Sequence, residues 1–407
     1  MRRLFRATLP LLLLAACVRE PAAPHGSYRA IIAAQAGSVP FGIDVEEQDG
    51  KPVASIVDGG HRFIAEATRF SGGMLTLDFP SYESSLEAKI GKDGSLAGAA
   101  HLYRRSGRLD LPLILVPGAG PVFFPNPAPP AVELAGSWPI AEDGADGEKG
   151  VLLLSRRGNA LSGSIQFPSG DERYLAGEVS GDRFALSTFD GNQGSVWRGQ
   201  IRPDGTLAGD SFGLASAKPG GWTSGKRGAA PAPGFVPVAE EKPPTDHIAF
   251  SFPDADGHMV SIADPRFRGK VVVVAIGGTW CPNCHDEAAF LAPYYKAHAA
   301  RGLEMIGLQF EYDGDHARSA RQIRSFAARY AIAYPLLIAG KATAEDSKRA
   351  LPAIGGVKVY PTTLFIDRKG KLRAIHVGWS GPATGALNKQ AEAQFDTTVT
   401  KLLAEKG

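Results

Sequence analysis

Val271-Val272-Val273-Val274-Ala275-Ile276-Gly277-Gly278-Thr279-Trp280-Cys281-Pro282-Asn283-Cys284 is the stretch that decides how this 407-residue chain is read. The apolar run from Val271 to Ile276 reads as a buried strand, and the residues after Trp280 turn helical. Pro282 suits the first helical position, where a missing N–H costs nothing and φ is preset. A strand therefore delivers two thiols to the first turn of a helix. Cysteines three apart lie about one turn apart, so a disulfide can form or open with little backbone movement. Cys281, at the N-cap, meets free N–H groups and the positive end of the helix dipole, which favour a thiolate. The pattern implies thiol–disulfide chemistry, with Cys281 as an exposed nucleophile and Cys284 as the resolving thiol.

The chain has three cysteines, and the third, Cys17, speaks to compartment. A basic start, Met1-Arg2-Arg3-Leu4-Phe5-Arg6, precedes an apolar run ending in Leu14-Ala15-Ala16-Cys17. That run falls short of the roughly 20 residues a membrane span needs but suits a signal-peptide core. Its end resembles a bacterial lipobox, which implies a signal peptide over 1–16 and lipidation of Cys17. Val18 stands where an aspartate would retain such a lipoprotein at the inner membrane, so outer-membrane sorting is expected. The exported part then has a single cysteine pair and no disulfide framework. Lys plus Arg (44) and Asp plus Glu (42) nearly cancel, and no basic block is present, which argues against nucleic acid.

Ahead of the cysteines the chain reads as all-β, with many of its 49 glycines between short alternating runs. Met74–Phe79 is a strand, and Asp93-Gly94 and Asp204-Gly205 are tight turns. Ile90-Gly91-Lys92-Asp93-Gly94-Ser95-Leu96-Ala97-Gly98 returns 111 residues later as Ile201-Arg202-Pro203-Asp204-Gly205-Thr206-Leu207-Ala208-Gly209. Two related β units are expected, over 17–130 and 131–217, separated by a Pro-rich passage. A Pro/Gly-rich linker is expected over 218–244.

Beyond the linker the pattern changes. The strand before the cysteines leads to a helix reaching about Ala300, then a strand Leu303–Phe310 and a helix over Asp315–Tyr330. Leu336–Ile338 is a strand and 343–351 a short helix. A hairpin over Thr362–Asp367 and Leu372–Val377 and a closing amphipathic helix complete an α/β domain with a mixed sheet over 245–407. This part resembles the TlpA/ResA-like thiol–disulfide oxidoreductases of the thioredoxin superfamily. The likeness rests on WCPNC, on Glu287, on Val359-Tyr360-Pro361-Thr362-Thr363-Leu364-Phe365-Ile366-Asp367 and on Gly378-Trp379-Ser380-Gly381. The β half is similar to the N-terminal region of some TlpA-like lipoproteins.

The resemblance implies a thioredoxin-like fold and a redox-active Cys281–Cys284 disulfide. Tyr360-Pro361 falls at the family's cis-proline, whose loop, with Trp280, flanks the sulfurs and pairs with substrate. Many thioredoxins carry an aspartate where this chain has Ala275. Glu287, one turn beyond Cys284 on the same helix face, would supply the carboxylate that handles the proton of the buried thiol. Pro-Asn between the cysteines lacks the histidine of strongly oxidising pairs, which favours a reductase. By resemblance, electrons come from a membrane thiol carrier of the DsbD/CcdA class and pass to oxidised periplasmic proteins or apocytochrome c. No cofactor or metal is called for: zinc would need about four ligands and no second cysteine pair exists. The Thr-x-x-Cys of peroxiredoxins and the CxxxC of copper chaperones are absent. The alternative is an envelope-binding lipoprotein whose β region is the functional part.

Overall fold

The computed structural model describes residues 22–145, 147–231 and 235–406; the expected signal peptide and Cys17 lie outside them. Strands between Gly26 and Pro117 form a nine-stranded antiparallel sheet of successive hairpins. The first strand, Gly26–Ala34, also pairs with the last, Gly107–Pro117. The two edge strands, His61–Ile64 and Ala67–Ser71, are joined by only two residues, and the Ala65 N–H donates to the Ala54 carbonyl at 3.0 Å. The sheet is thereby rolled into a half-barrel around Phe41, Phe79, Ile32 and Ile56.

The second β unit closes completely. Gly136–Glu142 pairs with Lys149–Arg157 on one side and Gly220–Ser224 on the other, and Lys149–Arg157 pairs with Ala160–Phe167. Closure pairs strands that would otherwise be open edges. The barrel is filled by Trp138, Phe184, Trp197 and Trp222. The repeated segments form the same hairpin: Gly94 and Gly205 both have φ of 79°, a turn conformation that glycine adopts without strain. The carboxylates of Asp93 and Asp204 accept the N–H groups of Ser95 and Thr206 at 3.1 and 2.9 Å.

The linker expected over 218–244 is shorter in the structure. Gly220–Ser224 closes the barrel with Trp222 buried inside, and Ala239–Glu241 joins the sheet of the C-terminal domain against Leu372–Val377. Glycine and proline at both ends concealed two short strands. The Pro-rich passage is also no free spacer, because the Phe123 and Phe124 N–H groups donate to Glu178 Oε2 at 3.0 Å. The two units share a core, where Phe41 meets Phe189 with ring centres 4.5 Å apart.

The C-terminal domain is thioredoxin-like. Its six-stranded sheet runs in the order Ala239–Glu241, Leu372–Val377, Thr362–Ile366, Val271–Gly277, Leu303–Glu311, Leu336–Lys341. Val271–Gly277 lies parallel to Leu303–Glu311 and antiparallel to Thr362–Ile366, and every residue in it is buried. That explains its continuous apolar run. Helices α1 (Pro282–His298), α2 (His316–Tyr330), α3 (Ala344–Ala350) and α4 (Ala386–Ala404) pack about it, and Pro293 lies inside α1 without ending it. Among the described residues no helix is long and apolar enough to cross a membrane.

Candidate redox site

The buried central strand ends at Gly277, and the chain turns through Thr279 and Trp280 into α1 with Cys281 as its N-cap. Cys281 and Cys284 are disulfide-bonded, with Cα atoms 5.2 Å apart. Cys281 Sγ accepts the Cys284 N–H at 3.3 Å and lies 3.5 Å from the Tyr360 carbonyl oxygen. The Tyr360–Pro361 peptide is cis. Trp280 is partly buried, donates its indole N–H to the Phe310 carbonyl at 2.8 Å and stacks on Tyr312. The expected site residues Trp280, Cys281, Cys284, Glu287, Tyr360 and Pro361 all gather here, whereas Cys17 lies outside the described residues.

Glu287 is 4% exposed and its Oε1 accepts the Thr363 hydroxyl at 2.6 Å. Burial disfavours its charged form and pushes its pKa up to about 7, against the smaller opposing effect of the Thr363 bond. A cavity of about 20 Å³ is lined by Cys284, Glu287, Ala275 and Tyr334. The strand position that carries an aspartate in many thioredoxins therefore faces the same small space, and α1 supplies the carboxyl group instead. Burial likewise raises Glu311 to about 7; it accepts the Thr279 N–H at 3.0 Å and the Thr279 hydroxyl at 2.8 Å.

Cys281 is 4% exposed, which corrects the expectation of an exposed nucleophile. Its sulfur lies against Cys284 and the Tyr360 carbonyl, and the β region seats beside it on the N-terminal end of α1. The Asn283 amide donates to the Asp171 carbonyl at 3.2 Å and accepts the Asp171 N–H at 3.2 Å. Asp171 Oδ2 accepts the Gly381 N–H at 2.5 Å. Arg173 grips Asp286 through two bonds, at 2.5 and 3.1 Å, and also donates to Asp190 and the Tyr82 hydroxyl. Burial together with the nearby Asp286 charge raises Asp171 to about 7. On the other flank, Tyr82, Glu83 and Tyr103 line a small space with Thr279 and Trp280.

His285, beside the second cysteine, stacks on Tyr82 with ring centres 3.8 Å apart. Its Nε2 lies 2.7 Å from the Thr279 carbonyl, an acceptor only, so Nε2 bears the hydrogen and Nδ1 accepts from the Tyr330 hydroxyl at 2.7 Å. Burial keeps the ring neutral, with its pKa well below the ordinary value. Asp171, Arg173, Tyr82 and Glu311 escaped the sequence reading. Glu311 could have been found as an acid ending an apolar strand beside the one that delivers the cysteines; the other three carry no local signal.

Comparison with known proteins covers the C-terminal part. Residues 245–375 match the AhpC/TSA family. The thioredoxin-like protein YneN of Bacillus subtilis is 31% identical over 129 residues, 32% of this chain and 68% of YneN. The thiol-disulfide oxidoreductase ResA of Geobacillus thermodenitrificans is 26% identical over 129 residues, 32% of this chain and 66% of ResA. The chain thus spans about two thirds of the length of these relatives. A thiol:disulfide interchange protein of the thioredoxin family from Chlorobium tepidum aligns at 26% identity with a TM-score of 0.31, covering 41% of this chain and 100% of that one.

Proposed function

Because the chain belongs through its C-terminal domain to the thioredoxin family, among ResA- and YneN-like proteins, we propose that it is a lipid-anchored periplasmic disulfide reductase acting on envelope proteins. The observation that carries this reading is the Cys281–Cys284 disulfide at the start of α1 with Glu287, raised to about 7, in the cavity that Cys284 lines. In the reduced protein the Cys281 thiolate attacks a substrate disulfide. A mixed disulfide forms and one substrate sulfur leaves as thiolate. Glu287 takes the Cys284 proton, and the Cys284 thiolate attacks Cys281 Sγ, releasing the second substrate sulfur. The protein ends as the disulfide, and an external dithiol donor of the membrane thiol-carrier class returns the two electrons.

The Cys281 N-cap supports the nucleophile role, since its sulfur accepts an amide N–H that would stabilise a thiolate. The seating of the β region on the cysteine motif favours one joint function over a separate scaffold role. Cys281→Ser should abolish reduction of any disulfide, and Cys284→Ser should accumulate a mixed disulfide with substrate. Direction is tested by equilibrating the pair against glutathione. A potential near about −270 mV agrees with a reductase, and one near about −120 mV would make the protein an oxidant.

A further inference from the structure

We infer that the N-terminal β units form a cap latched over the substrate-docking face by Asp171 and Arg173, which a protein disulfide must displace to reach Cys281. This deepens the proposed reductase reading and rests on it.

The face beside a nucleophilic cysteine has to meet an extended substrate backbone. Here Asn283, between the two cysteines, already bonds both the N–H and the C=O of Asp171. The Gly381 N–H is taken by the Asp171 carboxylate and Asp286 by Arg173. Gly170-Asp171-Glu172-Arg173 therefore sits on α1 as a peptide ligand would. Its backbone is shaped for the purpose. Arg173 has φ of 52°, held by its own N–H donating to Asp171 Oδ1 at 2.7 Å. Gly170 has φ of 146°, and a Cβ there would lie 2.0 Å from Asn283 Oδ1. Unfavourable backbone held in place by surrounding bonds is often found at ligand clamps.

The rest of the junction combines charged pairs with two ring contacts, Tyr82 on His285 and Tyr103 beside Tyr312. The cap supplies Glu83 and Glu66, and α2 answers with Arg318 and Arg329; the Arg329–Glu66 pair is 2.9 Å long. The Arg318 guanidinium also lies over the Tyr103 ring. Among the described residues no apolar cluster spans the junction. The clusters of the β units end at Trp222, and those of the C-terminal domain begin at Val238. Interfaces of this kind between domains permit relative motion, whereas a shared apolar core would not.

The test uses the reduced full-length chain. Alkylation of the peptide carrying Cys281 is timed with N-ethylmaleimide and with a polyethylene-glycol maleimide of about 5 kDa, and reduction of insulin is compared with reduction of hydroxyethyl disulfide. If only a minor open fraction admits large partners, apparent reactivity falls by that fraction. Wild type should therefore react at least about tenfold more slowly with the large reagent than the small one. Gly170→Ala and Glu83→Gln, neither of which leaves a buried charge unpaired, should narrow that gap. Both should raise the ratio of insulin to small-disulfide reduction several-fold. Equal ratios in wild type and both variants would overturn the cap and leave the reductase reading standing. Turnover that survives Cys281→Ser would instead overturn the reductase reading.

Discussion

Replacing Glu287 by glutamine should move stability and turnover in opposite directions. The side chain is buried, keeps its shape on substitution, and retains an oxygen to accept the Thr363 hydroxyl. Its pKa is about 7 in the folded protein against an ordinary 4.5, so the folded state binds the proton more tightly than the unfolded chain. Stability from this group is therefore greatest in acid and is lost as pH rises from about 4.5 to about 7. At about 1.4 kcal/mol per pKa unit, the native protein should lose about 2 to 3 kcal/mol between pH 5 and pH 8 that the glutamine variant keeps. Urea unfolding of the oxidised proteins at the two pH values reads this as a midpoint difference widening with pH. Meanwhile disulfide reduction should slow by about 10²-fold, the effect of removing a proton acceptor, and lose its pH dependence near 7. A variant no more stable than wild type at pH 8 would refute the buried-carboxylate argument. Equal turnover would refute the proton-transfer role.

Glu311→Ala leaves the buried Thr279 N–H and hydroxyl without their acceptor, which should cost about 1–3 kcal/mol. Because Glu311 is also raised to about 7, the loss should be larger at pH 5 than at pH 8, as read by urea midpoints. Salt should act on the junction, because Arg318–Glu83 and Arg329–Glu66 keep side-chain exposures of 15–35%. Charge screening shortens to about 3 Å at 1 M salt, so raising salt should speed insulin reduction relative to hydroxyethyl disulfide. An unchanged ratio would mean these pairs do not hold the cap.

What the sequence discloses here is what is local. The four valines before the cysteines, the proline after Cys281 and the spacing of Glu287 from Cys284 are patterns within one strand or one helical turn, and the structure places these residues together. The repeated Asp-Gly hairpin is legible for the same reason, since its turn is fixed by its own carboxylate and glycine. Gly220–Ser224 was hidden because a closing strand is defined by its partners on the other side of the barrel and not by its composition. The exposure of Cys281 failed for a related reason. An N-cap position says how a thiol meets its helix and nothing about the cis-proline loop, whose Tyr360 carbonyl reaches Cys281 Sγ from 79 residues downstream. Asp171 and Arg173 look like ordinary turn residues until α1 is brought against them.

The first turn of α1 separates two controls that a bare CxxC would combine. Cys281 lies against the cis-proline loop and its neighbour Asn283 against the β units, so under the proposed cap access to the nucleophile depends on contacts made by Asp171 and Arg173. Cys284 and Glu287 line the small cavity against Ala275, away from those contacts, and in the proposed mechanism the resolving step draws on the Glu287 carboxyl, raised to about 7. A perturbation of the cap should therefore alter how large a substrate is accepted without moving the pH profile. A perturbation of Glu287 should move the pH profile without altering the preference for size. Glu287 travels with Cys284 on one rigid helix, so the carboxyl keeps its place beside the buried sulfur whether the cap is seated or not.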